Sequence, residues 1–371
     1  MRNGVFLKKM YIFVKNKIIM SEAEVLFKKP TYPVNLDLMG YLERYDRVSK
    51  VSISYDDLLR FSGAISVFDK NDKDTLWIRV YYNEFERDEI DLTLKKIYSL
   101  LHSDGNNDIL KFLNIDAIDF CTFGNSKPFR IKVRNILNDN YTYFYVKKAD
   151  ASRVYGLELE HILSADKINF LLYKDTLIEE HILGIPGDVF ISTLLDQCTE
   201  TEKSQIAKEF VKFNERCMIR LLGDMRAYNY VIIPIHDFDH VVYKIRAIDF
   251  DQQSYEGSFK IYRPQFFKEN YPMVKMVKEK LQDSSIEQYK NEERAVLAKR
   301  ILTAEHRIKN LLRIMGKDEI APKSHLERLQ MEIYSYTNDL NFKKAQSMGN
   351  LMSAAFEYIT RNFNNINILL K

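Results

Sequence analysis

The chain has 371 residues, of which 46% are hydrophobic and 29% are charged. This balance excludes a disordered or fibrous chain and predicts a folded protein of two or three structural units. The 55 basic and 52 acidic side chains leave a net charge of +3, so we expect neither nucleic acid nor a membrane as a partner. Three cysteines without close paired spacing, Cys121, Cys198 and Cys217, argue against a thiolate zinc site and a disulfide framework and favour a reducing, cytoplasmic setting.

The first 20 residues contain five Lys or Arg and no acidic residue. Their longest apolar run, at residues 10–14, is too short for the core of a signal peptide or for a membrane span. We therefore interpret residues 1–29 as a disordered extension of the folded protein.

Residues 30–114 have the pattern of a small α/β domain. Ser54 and Asp57 have the spacing of a capping box, which predicts the start of a helix. Alternating residues at 64–68 and 75–82 predict a β-hairpin around a polar turn. A helix should follow, because apolar residues recur at helical spacing at Ile90, Leu94, Ile97 and Leu101. This domain carries no catalytic pattern, so we interpret it as a structural or partner-docking unit, with substrate selection as the alternative.

From residue 115 the pattern changes to short strands separated by turns, and we assign residues 115–185 to a β-rich lobe. Gly124, Asn125 and Ser126 form a tight connection between two of these strands. Such a connection can direct backbone N–H groups at phosphates, and an ordinary turn is the alternative.

The third strand of this lobe ends with Val146, Lys147 and Lys148, and an amphipathic stretch with Glu158 and Glu160 follows. A strand lysine paired with a helix glutamate can direct its ammonium group at nucleotide phosphates. If Val146 faces the ligand, Lys148 shares its face, so Lys148 is preferred and Lys147 is the alternative. Glu158 lies beside the predicted buried stripe and is preferred to Glu160. A surface charge pair remains the other interpretation.

Glycine and proline punctuate the chain strongly at residues 184–187. We place a lobe boundary there and assign residues 186–371 to a helical lobe, because amphipathic helix patterns dominate the chain beyond it. Glu180 and Ile182 bound the predicted hinge, a segment whose backbone groups can meet the edge of an adenine ring.

The most informative stretch is residues 222–257. It contains Asp224, then Asn229 five positions later, then Asp249 at the end of an apolar run, with Asp251 two residues beyond. In phosphoryl transfer, an Asp in the first position meets the acceptor hydroxyl, and the Asn and the later Asp hold magnesium on the nucleotide.

Taken together, these motifs carry a family resemblance. DMRAYN at 224–229 matches the catalytic-loop form D-x-x-x-x-N, and AIDFD at 247–251 is similar to the D-F-G element. With the strand lysines, the glutamate helix and the hinge, their order resembles the protein-kinase-like superfamily, particularly the aminoglycoside and choline phosphotransferases. The resemblance covers residues 115–265. It implies an α+β bilobal protein-kinase-like fold, with an antiparallel β-rich N-lobe and a helical C-lobe, here preceded by the small α/β domain.

The resemblance also implies roles for the residues of the two motifs. Asp224 would be the catalytic base, and Arg226 would neutralise charge on the transferring phosphoryl group. Asn229 and Asp249 would be magnesium ligands, and Asp251 would add a third carboxylate near the metal. ATP and Mg²⁺ are thus the implied cofactors, and the reaction is transfer of the γ-phosphate to a hydroxyl of a small molecule or protein.

For the nucleotide itself, the resemblance implies that Lys148 binds phosphate with Glu158 as its partner. The turn at 124–126 and the hinge would bind the remainder of ATP. The chain departs from the family at Leu222, where His is usual, and at Asp251, where Gly is usual. A catalytically weak pseudokinase acting as a nucleotide-binding adaptor and a nucleotidyl transferase are the alternative functions.

Overall fold

The computed structural model describes residues 29–363 except residues 104, 125, 238 and 239. The predicted extension, apart from its last residue, therefore lies outside the described residues. So does Asn125 of the predicted phosphate-binding turn.

The first part of the chain confirms the predicted helix start, hairpin and long helix. Its elements are α1 (Leu36–Arg44), α2 (Tyr55–Leu58), β1 (Gly63–Phe68), β2 (Asp74–Tyr81) and α3 (Glu84–His102). The Ser54 hydroxyl accepts a hydrogen bond from the backbone N–H of Asp57, and the Asp57 side chain accepts one from the backbone N–H of Ser54. This capping box satisfies N–H groups at the helix start and explains why α2 begins there. Helix α1 was not predicted from the sequence.

The hairpin belongs to a seven-stranded antiparallel sheet. The other strands are β3 (Leu113–Cys121), β4 (Phe129–Asn135), β5 (Tyr141–Lys148), β6 (Phe170–Tyr173) and β7 (Thr176–Glu180), in the order β1-β2-β3-β4-β5-β7-β6. Strand β2 pairs with β3 from Trp77 opposite Cys121 to Arg79 opposite Asp119. The sheet thus continues across the boundary predicted at residue 114.

One face of this sheet is covered by α3. Leu94 and Ile97 of α3 share a buried cluster with Ile131 of β4 and with Phe144 and Val146 of β5, and all five side chains are 0% exposed. Residues 30–114 and the following strands therefore bury their apolar side chains in the same core.

A helical region follows the sheet, which agrees with the predicted α+β class. It contains α5 (Gly187–Thr193), α6 (Glu200–Ile219), α7 (Tyr271–Lys280), α8 (Asp283–Thr303), α9 (Glu305–Met315), α10 (Lys323–Thr337) and α11 (Met348–Phe363). A three-stranded sheet of β8 (Ile185–Pro186), β9 (Tyr230–Asp237) and β10 (His240–Ala247) lies in the same part of the chain. None of the helices formed by the described residues combines the length and the apolar character needed to cross a membrane.

Helix α4 (Ala151–Leu163) packs tightly against the segment that follows β10. A Cβ atom added at Gly156 would lie 3.0 Å from Phe250 Cβ and 3.1 Å from Gln253 Cβ. Glycine therefore permits this approach, and α4 is held close to the loop that carries the predicted magnesium ligands.

Two leucines of α3 test whether this helix belongs to the core of the sheet. Leu94 is 0% exposed and Leu92 is 49% exposed. We expect Leu94→Ala to lower the free energy of unfolding by about 2–5 kcal/mol, because it leaves a cavity in the shared core, while the control Leu92→Ala costs much less. Denaturant unfolding measures both. Equal costs for the two variants would contradict the packing of α3 on the sheet.

Candidate functional site

A cavity of about 350 Å³ lies between the seven-stranded sheet and the β8–β10 sheet. Its polar lining includes Lys147, Arg153, Glu179, Asn229 and Asp249, and its apolar lining includes Ile168, Ile182, Val231 and Ile248. These residues come from β5, α4, β7 and the two motifs of residues 222–257, so the fold brings distant parts of the sequence to one cleft.

The lysine in the cleft is Lys147. Side chains alternate along β5, and Val146 lies in the buried core that the sheet shares with α2 and α3, whereas Tyr145 and Lys147 line the cavity. Lys147 Nζ lies 2.9 Å from Glu179 Oε2. The side chain of Lys148 is 50% exposed and pairs with surface carboxylates. The preference for Lys148 assumed that Val146 faces the ligand, and that assumption is wrong because Val146 is buried in this core.

The structure does not bring Glu158 to either lysine of β5. Glu158 is fully buried, and its Oε1 accepts hydrogen bonds from Tyr41 Oη at 2.6 Å and from Arg307 Nε at 2.8 Å. It lies five residues after Arg153, about 140° around the helix, and so away from the cleft. Glu160, the second choice, pairs with an arginine at the end of α6. Both glutamates thus join α4 to other helices or the segments that follow them.

Arg153 is the residue of the cleft that sequence reasoning missed. Its side chain is 3% exposed. Nη1 lies 3.0 and 3.1 Å from the two carboxylate oxygens of Glu179, Nη2 lies 2.5 Å from Asp249 Oδ1, and Nε donates to Asp251 Oδ1. Burial alone would lower the pKa of Arg153, but the three carboxylates, Asp251 foremost, raise it well above its ordinary value. The only sequence signal was an arginine in the first turn of a largely apolar helix.

The two aspartates after β10 have different surroundings. Burial, and then the charge of Asp251, raise the pKa of Asp249 above its ordinary value. Burial also acts to raise the pKa of Asp251, but the charge and hydrogen bond of Arg153 outweigh it and lower the value to about 2. Asp251 is therefore an ionised partner of Arg153.

The cleft offers two oxygen donors to a hard cation. Asp249 Oδ1 accepts from Arg153 and from the backbone N–H of Asp251, whereas Oδ2 accepts no hydrogen bond from the residues that the structure describes. Asn229 uses its Nδ2 to donate to the backbone carbonyl of Asp224 at 2.7 Å, which leaves its Oδ1 as a donor to metal. In the described part of the chain, no group of three or more His, Cys, Asp or Glu side chains is arranged to hold a metal ion. Two protein oxygens still fit Mg²⁺, which usually keeps several waters and completes its shell with substrate phosphates.

The loop before β9 is held by backbone contacts. Leu222 is buried and forms an isolated antiparallel bridge with Gln253. Gln253 Nε2 donates to the backbone carbonyl of Arg220 at 2.6 Å, and the N–H of Gly223 donates to the carbonyl of Gln252 at 3.2 Å. These contacts orient the loop although leucine stands where the kinase-like motif usually has histidine.

Asp224 lies at the end of this anchored segment, in a left-handed conformation with φ of +56°. Arg226 Nε donates to Asp224 Oδ1 at 2.8 Å, and Arg226 Nη1 donates to Glu269 Oε1 at 2.9 Å. Burial raises the pKa of Asp224, and the hydrogen bond and charge of Arg226 partly offset this effect. Asp224, Arg226 and Asn229 therefore form one hydrogen-bonded group, and the carboxylate of Asp224 is a stronger base than an exposed aspartate.

Of the remaining predicted binding residues that the structure describes, Ser126, Glu180 and Ile182 line the same cavity, and Gly124 does not. Gly124 has φ of +78°, the left-handed conformation that favours glycine in a tight turn. The backbone N–H of Glu180 donates to the carbonyl of Asn169, whereas the N–H of Ile182 donates to no acceptor within the described residues.

Comparison with known proteins assigns no family to this chain. No model of a known protein family matches this chain, and no curated protein sequence matches it.

Proposed function

We propose that this protein is an ATP- and Mg²⁺-dependent phosphotransferase of protein-kinase-like fold that moves the γ-phosphate to a hydroxyl of a small molecule or protein. One observation carries the proposal: a cleft between an antiparallel sheet and a helical region gathers Lys147, Arg153, Asn229 and Asp249, and Asp224 is hydrogen-bonded to Asn229 on the adjoining loop. This is the set of basic, carboxylate and amide groups that phosphoryl transfer requires.

The nucleotide occupies the cavity between the two sheets. A volume of about 350 Å³ lies within the range of roughly 300–1,000 Å³ that is typical of small-molecule sites. Apolar side chains, including Ile182 and Ile248, line the cavity and suit the faces of a base, and the N–H of Ile182 suits its edge. Lys147 and Arg153 supply positive charge for the phosphates.

Asn229 and Asp249 would hold the magnesium ion, which would neutralise charge on the phosphates. Asp224 accepts the proton of the acceptor hydroxyl, because its carboxylate is ionisable, partly buried and about one third exposed at the side chain. Arg226 orients that carboxylate through its Nε hydrogen bond. Glu269 in turn positions Arg226.

The two adjacent lysines of β5 form a matched pair for testing nucleotide binding. We expect ATP with Mg²⁺ to raise the melting temperature of the wild type. Lys147→Met should abolish most of this rise, because Lys147 lines the cleft, whereas Lys148→Met should preserve it, because Lys148 lies at the surface. Thermal-shift titration measures the effect after circular dichroism has established that both variants fold. No response of the wild type to ATP and Mg²⁺ would overturn the proposal, and loss of the response only in Lys148→Met would refute the assignment of Lys147.

Substitution of Asp224 and substitution of Asp249 should impair different steps of the reaction. Asp224→Asn removes the base and should lower kcat by about 10²–10⁴-fold with little change in ATP affinity, because Asp224 is outside the cavity lining. Asp249→Asn should weaken Mg²⁺-dependent ATP binding. The measurements are ATP titrations and transfer of labelled γ-phosphate to a panel of sugars, amino alcohols and proteins. The control is Glu327→Gln, whose side chain is 64% exposed.

The products of the same assay separate the alternatives. Nucleotide binding without any transfer would favour the adaptor, and transfer of AMP in place of γ-phosphate would favour the nucleotidyl transferase. Equal kcat in wild type and Asp224→Asn would exclude Asp224 as the base.

A further inference from the structure

The guanidinium group of Arg153 lies among the carboxylates that are expected to hold metal. Protein kinases hold two magnesium ions between their acidic and amide ligands and the nucleotide phosphates. Here Arg153 is in contact with Asp249 and Asp251, and with Glu179 on its other side. The guanidinium group of Arg153 therefore occupies the region between the two aspartates, where a second metal ion would bind.

All three guanidinium nitrogens of Arg153 are engaged. Nη1 binds both oxygens of Glu179, Nη2 binds Asp249 Oδ1, and Nε binds Asp251 Oδ1. A metal ion that used Asp249 Oδ1 or Asp251 Oδ1 would have to displace this group. Asp251 Oδ2 accepts no hydrogen bond from the described residues, but Asp251 does not line the cavity. Asp249 Oδ2 and Asn229 Oδ1 remain as donors, and they are sufficient for one ion with several waters and phosphate oxygens.

Displacement of Arg153 is opposed by its position on α4. The N–H of Arg153 donates to Asp150 Oδ1 at 3.2 Å, so the residue lies in the capped first turn of the helix. One turn later, Gly156 lies against Phe250 and Gln253 so closely that no larger residue fits without a shift. The backbone from which the guanidinium projects is thus fixed against the loop that carries both aspartates.

The charges of the cleft lead to the same arrangement. Within the ion cluster around Arg153, the positive charges of Lys147 and Arg153 face the carboxylates of Glu179, Asp249 and Asp251. Because like charges in a poorly solvated site repel strongly, the guanidinium group of Arg153 opposes a metal ion at the carboxylate oxygens that it contacts.

We propose that Arg153 takes the place of a second metal ion, so that the site binds a single divalent cation through Asn229 and Asp249 together with the nucleotide. Asp251 then acts as the carboxylate that holds Arg153 rather than as a metal ligand. This inference rests on the proposed function, since it requires a nucleotide and a metal in the same cleft.

The test counts bound Mn²⁺, a spectroscopic substitute for Mg²⁺, in the presence of a non-hydrolysable ATP analogue. Electron paramagnetic resonance of free Mn²⁺ gives the number bound per chain. We expect one Mn²⁺ for the wild type and two for Arg153→Ala. The control is Arg294→Ala, which removes an arginine whose side chain is 13% exposed and which pairs with Glu215 in the helical region; it should leave the count at one.

The wild-type measurement needs no variant to fold and is decisive by itself: two Mn²⁺ ions bound with the nucleotide analogue would overturn the inference and leave the proposed function standing. Absence of any Mn²⁺-dependent binding of the analogue would overturn the proposed function as well. A count of one in a folded Arg153→Ala would also refute the role of Arg153.

Asp251→Asn provides a second variant. It keeps the size of the side chain and removes a charge that faces Arg153, so we expect the count to remain at one with a change in Mn²⁺ affinity of less than threefold. A loss of affinity of tenfold or more, comparable to that of Asp249→Asn, would identify Asp251 as a metal ligand and contradict the proposal.

Discussion

The buried ion cluster around Arg153 is the interaction on which the cleft depends. A guanidinium group that is withdrawn from water is tolerated only when carboxylates compensate for its lost hydration. Here three carboxylates do so, and they come from β7 and from the loop after β10. Because Arg153 itself belongs to α4, one side chain joins the sheet, the helix and the acidic loop. The position of Asp249 relative to Lys147 is therefore set by the contacts of a residue that belongs to neither motif.

Helix α4 carries a second buried charge on a different face. Glu158 accepts hydrogen bonds from Tyr41 of α1 and from Arg307 of α9. Breaking a buried pair of this kind leaves an uncompensated charge, which costs about 3–5 kcal/mol. The helix is thus held on one face by the cleft and on another by the first helix of the described chain and a late helix. Its orientation, and with it the direction of Arg153, depends on segments that are distant in the sequence.

Local features could be predicted from the sequence, but which face of a strand lines the cleft could not. The capping box at Ser54, the β1–β2 hairpin and the order of sheet and helices follow from spacing within short windows. The choice between Lys147 and Lys148 depends on which face of β5 is buried, and the Val146 face is buried in a core to which α2 and α3, from earlier in the chain, contribute. Alternation along a strand says that the two lysines point in opposite directions, but it does not say which direction is the cleft.

Leu222 and Asp251, the two residues that differ from the pattern that the sequence resembles, both make defined contacts in the structure. Leu222 is buried against the segment at Gln253, and hydrogen bonds of that segment hold the loop where the motif would have a histidine. At position 251, where the pattern that the sequence resembles has glycine, the aspartate accepts a hydrogen bond from Nε of Arg153, 98 residues earlier. With glycine at 251 the Nε group of a buried arginine would lose its charged acceptor. Arg153 and Asp251 thus form one buried ion pair, which a pattern that compares single positions does not detect.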